Sequence, residues 1–200
     1  MATQHSVSIA GIIFLLSSAV LFLLAPLAMP SDYSWISNSI SESGAQGLTG
    51  AWVTRLGFLT FGLGVILVAL TRWDAWRTSA GLLLFGFGFL MLTVAAFSTR
   101  QWNADSSFNE LESNLHSVSA SVMGFFYGVG VLLVILFEKQ ASRAVKMLGW
   151  AAVVTSIAMP ILVGVIPEFG GVFQRIMFAI AIAWFVVQGR ISQTKIHADR

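Results

Sequence analysis

Six apolar runs divide the chain, at about 7–29, 51–71, 78–98, 116–137, 146–166 and 171–188, each near the roughly 20 residues an α-helix needs to cross a bilayer. Polar connectors separate them. Two are long: the segment "SWISNSISESGAQGLTGAW", Ser34 to Trp52, and the segment "STRQWNADSSFNELESNLHSVSAS", Ser98 to Ser121. The pattern predicts an all-α polytopic membrane protein, a six-helix bundle forming one domain over residues 1–200. The first run follows the leader "MATQHS", which has no Lys or Arg, and it exceeds the about 7–15 residues of a signal core. We therefore read it as a retained helix.

Six spans put both termini on one side. That side also receives the connectors near 72–77 and 138–146. It collects Arg72, Arg77, Lys139, Arg143, Lys146, Arg190, Lys195 and Arg200, eight of the 11 basic residues. Arg55, Arg100 and Arg175 fall on the other side. Basic residues favour the cytoplasmic face, so the termini are expected there, in a bacterial inner (plasma) membrane.

Composition agrees with a lipid solvent. The chain has 200 residues, is 56% hydrophobic and 10% charged, and carries a net charge of +2. A soluble domain has about 25% charged residues. So small an excess of positive charge gives no reason to expect nucleic acid. With no cysteine, disulfides and thiolate chemistry are excluded.

Lipid gives helices little hydrophobic reason to associate, so close backbone approach matters. Ala120, Gly124 and Gly128 recur every four residues below His116, on one helix face. Gly57, Gly62 and Gly64 mark the second span, and Gly81, Gly86 and Gly88 the third. All are expected to be packing devices. Pro160 should kink the fifth span. Trp35, Trp52 and Trp102 near one boundary, and Trp73, Trp76 and Trp150 near the other, are expected to anchor in the interfaces.

Candidate chemistry gathers on the outer side. Trp35, Ile36 and Ile40 share a helical stripe, which predicts a short amphipathic helix in the first outer loop, stopped at Gly44. Glu42 lies near its end. Arg55 lies one turn into the next span, where a cation either finds a partner, Glu42 being the nearest acid, or snorkels to the surface. Glu112 and His116 are four residues apart and share a face. Glu112 can orient His116, which can serve as general base, proton relay, metal ligand or plain interfacial hydrogen bonder. Arg175 sits one turn into the last span. The matched depth of Arg55, His116 and Arg175 suggests a shared polar pocket with Glu42 and Glu112 as counter-charges. The alternative is a ring of ion pairs that fixes register. With one suitably placed His, and His5 and His197 on the tails, no metal site is expected. No Gly-x-Ser-x-Gly elbow singles out a serine nucleophile.

The segments "SNSISESGAQGLTGAWVTRLGF", "NLHSVSASVMGFFYGVG" and "GVFQRI" resemble the six-span prokaryotic family of unknown function number 998. "ISESGA" is similar to that family's Ile-Ser-Glu-Leu-Gly pattern, with Ser43 where Leu is usual. His116 and Arg175 fall where the family has a His and an Arg. More distantly the chain resembles the Frag/DRAM/Sfk superfamily. The resemblance implies six helices with cytoplasmic termini and, by analogy, an outer-leaflet lipid role.

Three readings follow. The first is a protein that binds a lipid headgroup or small anionic ligand through Glu42, Arg55, Glu112, His116 and Arg175; the arginines suit phosphate. The second is a membrane-embedded lipid hydrolase or transferase with His116 as general base. The third is an accessory subunit with a membrane-protein partner, or a homo-oligomer. The sequence names no cofactor.

Overall fold

The computed structural model describes residues 2–103, 105–138 and 141–198, with the side chains of residues 2, 3 and 192–198 left aside. Lys139, Asp199 and Arg200 lie outside the described residues, as do the side chains of Lys195 and His197. Helices α1 (Ala2–Leu24), α3 (Ala51–Arg72), α4 (Thr78–Ala96), α5 (Glu110–Phe137), α6 (Arg143–Val165) and α7 (Gly170–Ala198) are long; α2 (Ile40–Ser43) is a single turn. The six long helices are apolar enough to cross a membrane. Among the described residues no strand forms. The protein is an integral membrane protein with an all-helical fold.

The helices close a ring. α1 packs on α3, α3 on α4, α4 on α5, α5 on α6, α6 on α7 and α7 back on α1, with α3 also touching α7 across the middle. Neighbours run antiparallel, and Ser8 near the start of α1 donates to the Gly189 carbonyl near the end of α7 at 2.8 Å. Both termini therefore share one end of the bundle, here the terminal end; the other is the distal end.

Glycine sets the closest crossings. A Cβ at Gly62 would lie 2.8 Å from the Gly88 carbonyl, and one at Gly64 2.9 Å from the Gly11 carbonyl. Backbone thus meets backbone at α3–α4 and α1–α3, as small residues in lipid allow. The space between is filled by aromatic rings. Phe22, Phe58 and Phe178 meet edge-on or tilted, Phe87 stacks on Phe185 at 5.6 Å, and Trp76 stacks on Trp184 at 5.8 Å.

Several expectations change. Trp76 is buried in that stack rather than anchored in an interface, because the α3–α4 turn folds it under α7. The amphipathic helix shrinks to α2: Trp35 and Ile36 precede it and are exposed, and Ile40 is buried. The face of α5 with Ala120 and Gly124 is not a tight seam. A Cβ at Gly124 would meet nothing within 4 Å. The reason lies in α6, whose buried residues are Gly149, Ala152, Val153 and Thr155. Beyond Thr155 the helix, with Pro160 inside it, leaves the bundle and opens a gap beside α5 and α7.

Candidate functional site

The distal end is built from the two long connectors. In the first, Ser39 and Glu42 close a capping box that starts α2. Ser39 Oγ accepts the Glu42 N–H at 3.1 Å, and Glu42 Oε2 accepts the Ser39 N–H at 2.7 Å. Ser43 faces inward, its hydroxyl 2.7 Å from both the Ile40 carbonyl and Thr54 Oγ1. The Ser43 hydroxyl is thus satisfied and buried.

Gln46 joins the two connectors with every polar group it has. Its N–H donates to the Thr99 carbonyl, its carbonyl accepts from Gln101, its Nε2 donates to the Ser98 and Asn109 carbonyls, and its Oε1 accepts the Asn109 N–H at 2.7 Å. Gly47 follows at φ 76°, in the left-handed region that glycine occupies without strain.

Each predicted site residue holds a piece of this cap. Arg55 Nε donates to the Gly44 carbonyl at 3.3 Å. Glu112 Oε1 accepts the Ser98 N–H at 2.7 Å. His116 is 5% exposed, with Nδ1 2.8 Å from the Phe97 carbonyl. A carbonyl only accepts, so Nδ1 carries the proton; Nε2 has no hydrogen-bond partner among the described residues. Arg175 binds most widely: Nη1 donates to the Trp35, Asn38 and Gly171 carbonyls at 2.7–3.0 Å, and Nη2 to the Tyr33 hydroxyl at 2.7 Å. Among the described residues none of the five forms an ion pair.

The five do not share one hollow. Glu42 borders a polar pocket of about 290 Å³ with Arg100 and Gln101. Arg55 borders a groove of about 440 Å³ between α3 and α4. Arg175 stands with Trp35 at the head of an apolar groove of about 410 Å³ between α1 and α7, walled by Phe22, Leu23, Ala179 and Ile182. Glu112 and His116 border none of these. A general base must reach a substrate proton, and the His116 ring is walled in by α4 and α5.

A family profile described as "Protein of unknown function (DUF998)" matches residues 8–190. The chain belongs to this family. No curated protein and no solved structure matches it. The wider likeness to the Frag/DRAM/Sfk superfamily finds no support in these comparisons. Within this DUF998 chain the match runs from α1 into α7, so it includes the whole distal cap.

Two parts of the site carried no warning in the sequence of this DUF998 protein. Gln46 looks like any polar loop residue; its role appears only when the connectors meet. Gln174, beside Arg175, accepts the Ser41 N–H at 3.3 Å through Oε1. Adjacent residues of α7 therefore both hold the first connector while lining different cavities: Arg175 borders the α1–α7 groove, and Gln174 borders the gap left by α6.

Proposed function

We propose that this DUF998 protein binds a phospholipid of the outer leaflet of a bacterial inner membrane, with one acyl chain in the α1–α7 groove and the phosphate at Arg175. The orientation rests on the basic residues near the termini, which favour a cytoplasmic terminal end.

The observation that carries the reading is a cation without a counter-charge at the mouth of an apolar groove. Arg175 has no carboxylate partner among the described residues. Its Nη1 serves carbonyls and one Nη2 hydrogen serves Tyr33, so Nε–H and the second Nη2 hydrogen remain for a ligand. The guanidinium also lies 5.9 Å from the Trp35 ring centroid. Such a fork suits a phosphate better than an ammonium would. The groove alone cannot select a lipid, because every tail in the bilayer competes for it on equal terms. Selection falls to the head.

Mass spectrometry of lipids retained by the purified protein tests this. A phospholipid should accompany the wild type and be lost in Ala179→Trp, which fills the groove and leaves Arg175 in place. Arg175→Ala should lose it as well. A folded Ala179→Trp protein with an unchanged lipid complement would end the proposal.

A further inference from the structure

The gap left by α6 is a second cavity, separate from the Arg175 groove and on the other side of α7. It measures about 510 Å³ and shares Met123, Gly124, Ser156 and Phe178 with a deeper lobe of about 90 Å³. Small-molecule sites span about 300–1,000 Å³. It opens sideways, since Ser121 and Phe125 on α5 and Pro160 and Val163 on α6 are exposed on the membrane-facing surface. The polar groups on the lining of its outer part are Ser41, Ser121, Ser156 and Gln174, and the deeper lobe adds the buried Tyr127 hydroxyl, which has no hydrogen-bond partner among the described residues; no charged side chain borders either part.

These groups have spare capacity of a definite kind. Gln174 uses its Oε1 on the Ser41 N–H, which leaves its Nε2 hydrogens without acceptors among the described residues. The Ser41 hydroxyl is likewise uncommitted. Ser121 and Ser156 donate along their own helices to the Ser117 and Val153 carbonyls, so their oxygens can still accept. The upper level of the cavity offers neutral donors and acceptors together, suited to a hydroxyl or ester and unsuited to a bare phosphate. Below Ser121 the walls are Met123, Gly124, Met177 and Phe178, and roughly 9 Å of α5 separates Ser121 from Tyr127 at the lower end.

We infer that this cavity is a binding site for an uncharged, hydroxyl-headed, single-tailed lipid that enters sideways between α5 and α6. The head lies at Ser41, Ser121 and Gln174, and the tail runs past Gly124 toward Ser156. The site does not depend on Arg175.

The full chain, purified in detergent, should be titrated by native mass spectrometry with 1-monooleoylglycerol and with oleoyl lysophosphatidate, which shares the tail and adds a phosphate. Wild type should bind monooleoylglycerol at least tenfold more tightly than Gly124→Phe does. Gly124 has open space around it, so that variant can fill the cavity without disturbing the bundle. Gln174→Glu retains the acceptor for Ser41 but removes the amide donors and adds charge, and it should show a similar loss. Oleoyl lysophosphatidate bound at the Arg175 groove should be lost in Ala179→Trp and kept in Gly124→Phe, which separates the two sites. Equal binding of monooleoylglycerol by wild type and a folded Gly124→Phe, or a lysophosphatidate that Gly124→Phe displaces, would overturn the inference.

Discussion

Glu112 and His116 grip the two ends of one peptide unit: the carboxylate accepts the Ser98 N–H at 2.7 Å, and the imidazole Nδ1 donates to the Phe97 carbonyl at 2.8 Å. One helical turn apart, they hold the carbonyl and the N–H of a single peptide. Together they fix where α4 ends against the start of α5. His116→Ala leaves the Phe97 carbonyl without its partner, and a buried orphan costs about 1–3 kcal/mol. His116→Asn keeps a side-chain donor on a shorter reach and should recover part of the loss. Chemical unfolding in detergent reads both. A His116→Ala protein as stable as the wild type would mean the grip contributes nothing.

The glycines should divide by what surrounds them. At Gly62 a Cβ would press 2.6 Å from Leu92 and 2.8 Å from the Gly88 backbone, so Gly62→Ala forces α3 and α4 apart. Overpacking of this kind costs about 1–3 kcal/mol. Gly124→Ala meets nothing and should be neutral, or slightly stabilising through helix propensity. Melting temperatures of the two variants, side by side, check the contrast. Similar losses at both positions would contradict the gap beside α5.

The fold was readable because each span announces itself by length alone. The run over 51–71 becomes α3 at Ala51–Arg72, and the run over 78–98 becomes α4 at Thr78–Ala96. The start of α5 moved back to Glu110 because Asn109 caps it, its side chain accepting the Glu112 N–H. The site was less readable, for a physical reason. Depth in the membrane can be counted along a helix, but azimuth around it depends on neighbours. Arg55, His116 and Arg175 each lie within two turns of the start of their helices, yet they face the Gly44 carbonyl, the Phe97 carbonyl and the α1–α7 groove respectively. The cavity beside Gly124 was invisible because it is made by the departure of α6 after Thr155, which no local pattern encodes.

Ser43 offers a test of how α2 docks on α3. It is 1% exposed and shares a short hydrogen bond with Thr54, itself fully buried. A Leu here has no room for its branches and strands the Thr54 hydroxyl. Ser43→Leu alone should destabilise by about 1–3 kcal/mol. Adding Thr54→Ala clears both the space and the orphaned hydroxyl, so the double variant should regain much of that loss. A double variant no better than Ser43→Leu would show that α2 cannot dock with an apolar residue at this point.

At the terminal end, Arg72 and Glu138 form an ion pair between the ends of α3 and α5, with Arg72 1% exposed. A basic residue at a helix end looks like a surface anchor; here it is folded inward beside the buried Trp76, one turn along the chain. Arg72 Nε and Glu138 Oε2 find no further partner among the described residues, so the pair is incompletely satisfied. Removing one member of such a pair leaves a buried charge uncompensated and costs about 3–5 kcal/mol, whereas replacing both by apolar residues is often neutral. Arg72→Met and Glu138→Met should each destabilise strongly, and the double variant should be more stable than either single. A double-mutant cycle by denaturant unfolding in detergent measures the coupling. Additive losses would mean that the two side chains act through separate contacts, Arg72 through the packing at Trp76 and Glu138 through the end of α5.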